Sequence, residues 1–416
     1  MKKSENYEGF VRAYNHFDAK PLIGEDLERF YIDDFTCDSV NEILTTVRIT
    51  ERFKKILIIG HRGCGKSTIL NKVAEQLQNE YHIVSFSASD VINMMDVEAG
   101  DILLSTYLMV LDSIKKENTF QGLIGKFSNF FRNILKSLKL EEIGTGELLE
   151  IISFKFKVES ETRLEIRKNL VDQIRVLQKN LSEACKEISR KKNKDVLIII
   201  DDLDKLETKF AEIVFFKNSE ILSHPEVKMI YTFPLDTYYC DAFIRIHDRY
   251  ADQFIPLVTL YDANGNYIES SQQSLTNLIL RRIDENLITK DALKIVINMS
   301  GGLLRDLVRL MQDACKLAIV ETSDVIDNDI IESTINEHIN DYYRIFDYQE
   351  YADKVSTIAE TKQKIDNKTL VYLLRYLFVL EYRHGRNKKL WYDVHPCLKK
   401  TLEDKKYVSN ICKSTI

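Results

Sequence analysis

The sequence predicts an α/β fold: a parallel β-sheet flanked by helices, then a helical region and a small basic C-terminal domain. Three observations predict it. Short aliphatic runs ending in Gly or Asp alternate with stretches of helical spacing. One run leads into Gly60-His61-Arg62-Gly63-Cys64-Gly65-Lys66-Ser67-Thr68, and another ends in Asp201-Asp202. From residue 274 to residue 337 the apolar spacing is helical throughout.

The first 50 residues mix apolar clusters with loop signals such as Pro21 and Gly24. Residues 54–60 are a short apolar run closed by Gly60, the pattern of a buried parallel strand. Ile69, Leu70, Val73, Ala74 and Leu77 mark a helix, 83–86 the next strand and 101–114 a second helix. Residues 118–140 hold Lys126, Arg132, Lys136 and Lys139 and no acid. Phe120, Leu123, Phe127, Phe131, Ile134 and Leu138 share one helical face. Such a helix docks on protein more often than on a membrane surface. Residues 161–192 predict one long polar helix, whose seam of Leu170, Ile174, Leu177, Leu181, Cys185 and Ile188 is too short for a coiled coil. Residues 196–200, 227–232 and 254–260 predict three more strands. After residue 367 come a helix and two strand-like runs, 378–383 and 390–394, around the polar turn 384–388.

A chain of 416 residues predicts two to three domains. The expected division is an N-terminal segment at 1–50, an α/β core at 51–262 with a helical insertion near 115–192, a helical lid at 270–345 and a basic domain at 346–416. With 44% hydrophobic and 29% charged residues, a mostly disordered chain is excluded. The longest unbroken aliphatic run, 196–200, is too short to span a bilayer. The N-terminus shows no apolar signal-peptide core, and seven scattered cysteines do not form a disulfide framework. The expected setting is a reducing cytoplasm. The net charge of −6 conceals thirteen Lys/Arg against five Asp/Glu over residues 361–416. A basic tail on an acidic body fits a polyanion or an acidic partner, and equally a solubilising face.

The run Gly60 to Thr68 matches G-x-x-x-x-G-K-[ST] with a strand before it and a helix after it. Its glycines let the backbone curl so that N–H groups converge on phosphate oxygens, and the helix N-terminus adds its dipole. Lys66 is expected to reach the β- and γ-phosphates and Ser67 to ligate Mg²⁺. At the end of the second strand Asp201 is expected to hold the metal, and Asp202 to orient or deprotonate the attacking water. Asp204 shares the metal's outer shell or caps a helix. Thr232, read as a strand end, contacts the γ-phosphate or satisfies local backbone. Arg305 opens a helix after Gly301-Gly302 and is placed to report nucleotide state. Arg245 and Arg249 are candidates for an arginine finger acting on a neighbouring subunit, against a surface ion pair with Asp248 or Asp252.

The order of phosphate loop, Asp201-Asp202-Leu203-Asp204, strand-end polar residue and Gly301-Gly302-Leu303-Leu304-Arg305-Asp306-Leu307 resembles AAA+/STAND-type P-loop ATPases, nearest the origin-recognition branch and a bacterial group of such ATPases. The resemblance implies ATP and Mg²⁺ as cofactors, an ATPase core, a helical lid and a winged-helix-like C-terminal domain. It also implies sensor roles for Thr232 and Arg305, and a position over the adenine for residues around Phe17, Pro21 and Leu22. The family's usual second acid is Glu, and here it is Asp202. The functions that follow are an ATP-driven switch controlling assembly or a partner effector, possible in an anti-phage or mobile-element setting; a DNA-binding initiator-like ATPase using Arg383, Arg386, Lys388 and Lys389 around the hairpin turn; or a nucleotide-bound scaffold with negligible turnover. His and Cys do not cluster at zinc spacing.

Overall fold

The computed structural model describes residues 5–50, 53–134, 159–384 and 389–404. They divide into two compact units, one formed by residues 41–59 and 72–253, the other by residues 1–40, 60–71 and 254–416. Arg386 and Lys388 at the expected hairpin turn, and Lys136, Leu138 and Lys139 of the expected basic helix, lie outside the described residues.

The first unit is built on a five-stranded sheet of β1 (Lys55–Gly60), β2 (Tyr81–Ser87), β3 (Asp195–Asp201), β4 (Lys228–Pro234) and β5 (Tyr250–Phe254), in the order β2-β3-β4-β1-β5. The pairs β2–β3 and β3–β4 are parallel, with Ile83 opposite Leu197 and Ile198 opposite Met229. Every residue of β1 and β4 is buried. Strands covered on both faces have no solvent side, so they read as continuous aliphatic runs. Lys55 opens β1 at 1% exposure. Its Nζ donates to the carbonyls of Phe53 (2.8 Å), Pro225 (2.6 Å) and Val227 (2.8 Å), which uses all three ammonium hydrogens.

Two strand boundaries differ from the sequence expectation. β4 runs on to Pro234 because Phe233 is held in an aromatic cluster with Phe215 and Phe243, at centroid distances of 4.9 and 5.6 Å. Thr232 therefore lies inside the strand. The strand expected at 254–260 sits earlier, at Tyr250–Phe254. Pro256 has no N–H to give to a ladder, so pairing stops before it.

The insertion also departs from expectation. Residues 161–192 form two helices, Ser160–Leu170 and Ile174–Lys192, joined by a 3₁₀ turn at Val171–Gln173. The break lets each half face a different partner. In the second half Leu177, Leu181, Cys185 and Ile188 are buried, in a helix that packs on β3 and on the helix Ala99–Asp112. In the first half Arg167 donates from Nε to Asp101 Oδ1 (3.0 Å) and from Nη1 to Asp96 Oδ1 (2.8 Å), and Arg163 Nε donates to Asp96 Oδ2 (3.2 Å). The basic amphipathic helix is observed at Gln121–Ile134. Its apolar face is inside the protein: Phe127 and Phe131 are fully buried, and Phe127 meets Tyr107 edge to face at 5.1 Å. Among the described residues no helix is long and apolar enough to cross a membrane.

The second unit carries the lid helices Glu269–Leu280, Lys290–Met299, Leu304–Val320 and Asn328–Ile345. Their core gathers Leu275, Ile279, Val296, Leu307 and Met311, and the N-terminal helix Tyr7–His16 adds Phe10. Phe17 is fully buried in this core. The turn before Leu304 needs glycine. Gly302 has φ 76°, and a Cβ there would lie 1.8 Å from the Val258 carbonyl oxygen. The chain closes with the helices Tyr348–Thr361 and Asn367–Arg375, the antiparallel hairpin of β6 (Val379–His384) and β7 (Lys389–Val394), and the helix Pro396–Asp404. Trp391 is buried and stacked on Tyr382 at 4.5 Å, which makes it a packing residue.

Asp101 is 1% exposed, and Arg167 is the cation that compensates it. Arg167→Ala strands that carboxylate and is expected to lower the unfolding free energy by about 3–5 kcal/mol in urea titrations. A smaller effect, under about 1 kcal/mol, would mean that the pair behaves as a surface bridge.

Candidate nucleotide site

Two groups of side chains are the candidates, one in each unit. The first begins where β1 delivers the chain into the phosphate loop. Gly63 has φ 89°, and a Cβ on it would come within 2.7 Å of Arg305 Cβ. Glycine is thus required twice, for its backbone and for the close approach of Arg305. The Arg305 N–H donates to the Gly63 carbonyl at 3.1 Å. The sequence separates these residues by most of the chain, and the structure brings them together.

Lys66 opens the helix Lys66–Leu77 and is 5% exposed. Its Nζ donates to the carbonyls of Gly60 (2.9 Å) and His61 (2.8 Å). Cys64 is buried, Arg62 and Ser67 are half-buried, and Gly65 completes the curl with φ 99°. Thr68 Oγ1 accepts the Leu22 N–H at 3.1 Å, and Asn71 Nδ2 donates to the Leu22 carbonyl at 2.9 Å. The N-terminal segment is therefore tied to the helix that the phosphate loop begins.

His61 is fully enclosed. Burial, followed by the charges of Lys66 and His395, pulls its pKa down to about 3, so the ring is neutral. Its Nε2 accepts the Glu381 N–H at 2.7 Å, which puts the ring proton on Nδ1.

The second group is the acidic turn after β3. Carboxylate oxygens of Asp201, Asp202 and Asp204 all lie within 4.8 Å of one another. Hard oxygen donors at this spacing fit a magnesium ion. They are not equivalent. Asp202 Oδ2 accepts from Ser87 Oγ (2.6 Å) and Ser89 Oγ (2.7 Å), and its Oδ1 pairs with Lys205 Nζ at 2.6 Å. Burial pushes the Asp202 carboxyl up, but the bonds from Lys205, Ser87 and Ser89 outweigh it and hold the group below its ordinary value. Asp201 is the half-buried member, and its Oδ1 accepts the Asp202 N–H at 2.7 Å.

Thr232 does not end a strand. Its hydroxyl is fully buried and accepts the Asp204 N–H at 3.4 Å, the local backbone role. Arg249 sits in a 3₁₀ turn before β5 and pairs with Glu220 at 3.4 Å, rather than with Asp248 or Asp252. Arg383, expected at the basic hairpin turn, turns inward: it pairs with Glu381 at 2.9 Å, and its guanidinium lies 3.5 Å from the Phe254 ring centroid. Lys389 is exposed.

Sequence reasoning missed Ser87 and Ser89. Their signal was present, because Ser-Ala-Ser closes the strand that pairs with β3, and Ser87 is opposite Asp201. It also missed Glu381, whose contact with His61 is through backbone and leaves no mark in the sequence.

Residues 33–234 match the KAP family P-loop domain. The sheet with its flanking helices is a P-loop NTPase fold. Among solved structures the chain is similar to the Aeropyrum pernix ORC1 protein, solved in complex with DNA (10% identity, 92% of this chain and 95% of that chain, TM-score 0.39). It is also similar to Cdc6p from Pyrobaculum aerophilum (11% identity, 94% and 98%, TM-score 0.41) and to the Thermotoga maritima RuvB Holliday junction branch migration motor (14% identity, 95% and 99%, TM-score 0.40). No curated protein matches the chain.

The backbone of the acidic turn favours Asp at position 202. Asp202 has φ 68° and ψ 0°, left-handed backbone that Asp and Asn accept best among residues with a Cβ. Asp202→Glu is expected to cost about 1 kcal/mol of stability at neutral pH. A carboxyl held low in the folded state contributes stability that is complete above the ordinary Asp value of about 3.9. That stability fades as the pH falls through the lower folded value. Asp202→Asn keeps the backbone fit, and its unfolding free energy should fall less steeply than wild type below that pH. Urea unfolding of the three proteins over a pH series checks both expectations.

Proposed function

We propose that the chain binds ATP and hydrolyses it slowly, as a switch that controls its own assembly or a partner effector. The observation that carries this reading is Arg305 laid against Gly63 of the phosphate loop. A loop that cradles phosphates and an arginine from the lid beside it let one ligand contact both. Lys66 is the cation for the β- and γ-phosphates. A phosphate oxygen would replace the carbonyls of Gly60 and His61 as its acceptors.

Ser67 and Asp201 are the oxygen donors we assign to Mg²⁺. The ion, when bound, neutralises charge on the phosphate oxygens. Asp202 stays ionised at neutral pH and orients water, but its oxygens already serve Ser87, Ser89 and Lys205. That engagement supports slow turnover. Thr232 steadies the turn through Asp204. Arg249 remains the candidate finger toward a neighbouring copy, since its exposed ion pair with Glu220 is of the kind that contributes little. The described cysteines are unbridged, in keeping with a cytoplasmic setting. An anti-phage or mobile-element role rests on the sequence resemblance alone.

A second reading, DNA binding through the C-terminal domain, is supported by the excess of basic residues over 361–416 and by exposed Lys389. With Arg383 turned inward, the affinity would rest on fewer cations than the sequence offers.

The test is ATP hydrolysis by the full chain, with and without DNA and over a range of protein concentrations, with light scattering on the same samples. Lys66→Ala and Asp202→Ala are each expected to lower turnover by about 100-fold or more. Turnover that rises with concentration supports the assembling switch, and turnover that rises with DNA supports the second reading. Tight ATP binding without turnover under every condition would reduce the protein to a nucleotide-held scaffold.

A further inference from the structure

We propose that His61 is a positioning residue through which the C-terminal hairpin sets the shape of the phosphate loop, so that nucleotide at the loop and the seating of β6 influence each other. The inference rests on the nucleotide reading above and adds to it the element that site controls.

His61 is held at its carbonyl and at its ring. The backbone carbonyl accepts from Lys66 Nζ at 2.8 Å and from the Cys64 N–H at 3.2 Å, and Nε2 accepts the Glu381 N–H at 2.7 Å. Lys66 and β6 are thus joined through one residue. The bond on the hairpin side is available because, among the described residues, β6 pairs with β7 alone. Glu381 is opposite Tyr392 in the register, and the Tyr392 N–H goes to the Lys362 carbonyl rather than across the hairpin. The Glu381 N–H then belongs to the open edge of β6, and His61 takes it.

Nothing else fixes the imidazole by hydrogen bonding. Nδ1 is buried and has no hydrogen-bond partner among the described residues. The orientation of a buried ring in the phosphate loop therefore depends on a single bond from the hairpin. The neutrality of the ring keeps Nε2 free to accept.

The same hairpin region reaches the turn that carries Arg305. Tyr382 donates its hydroxyl to the Gly301 carbonyl at 2.8 Å, and His395 Nε2 lies 3.1 Å from Asp306 Oδ2, one residue past Arg305. Glu381, 5% exposed, is neutralised by Arg383. Both elements assigned to phosphate, the loop and the start of the lid helix, therefore hold onto this region. When Lys66 leaves the His61 carbonyl for a phosphate, the Cys64 N–H alone of these two donors stays on that carbonyl, and the residue that anchors β6 is held less tightly. By linkage, whatever alters the seating of β6 must change nucleotide affinity by the same factor.

The experiment is amide hydrogen exchange of the full chain over 379–384, with and without ATPγS and Mg²⁺, beside a fluorescent titration of nucleotide binding. Nucleotide is expected to change exchange at the Glu381 amide on the order of tenfold in wild type. His61→Gln, whose Oε1 keeps an acceptor at the Nε2 position, should retain the change. His61→Leu should lose it when compared at the ATPγS concentration that saturates that variant in the titration. A merely structural His61 would loosen β6 equally in both nucleotide states, and an equal response in all three proteins would overturn the inference. Wild-type exchange that ignores bound nucleotide overturns it whatever the variants do. If the titration finds no nucleotide binding, the nucleotide reading falls and this inference falls with it.

Discussion

The structure depends on how one buried ammonium is held. Lys66 has almost no contact with water, and a charge in that position must have acceptors or it does not form. The carbonyls of Gly60 and His61 supply them. They can do so because β1 ends at Gly60 and the loop curls back over the helix it starts. That curl in turn needs positive φ at Gly63, and the missing side chain leaves the space that Arg305 fills. A buried strand, a bare turn and a distant lid arginine are consequences of seating one cation where phosphate is expected.

The acidic turn follows a different logic. Asp202 is fastened by three donors in left-handed backbone, and Asp201 beside it is the more open carboxylate. The two acids are adjacent in sequence and unlike in freedom. Fixing one of them gives the turn a defined shape. The other is the carboxylate proposed above for a metal. Lys205 and the Ser87–Ser89 pair, rather than burial alone, create the distinction.

Much of this was legible in the sequence. Fully buried strands write themselves as aliphatic runs, so β1 and β3 were found almost to the residue, and the phosphate loop has a fixed spacing because its geometry is fixed. The lid helix with Arg305 was legible through Gly301-Gly302. What failed has physical causes. The apolar run at 254–260 has strand composition, but Pro256 removes a donor. The helix expected over 161–192 breaks because its two halves answer to different partners, a tertiary demand that periodicity does not record. Arg383 looked like a surface cation, but a buried Glu381 two residues away claims it. The His61 contact was invisible because a backbone N–H belongs to every residue alike.

The two arginines that bind Asp96 and Asp101 also bear on how this chain can vary. Arg163 and Arg167 pin the start of the helix Ser160–Leu170 to the body of the sheet unit, while Phe127 and Phe131 pin the helix Gln121–Ile134. Asp101 and Arg167 can therefore vary only as a pair, because losing either one leaves a buried charge without its partner.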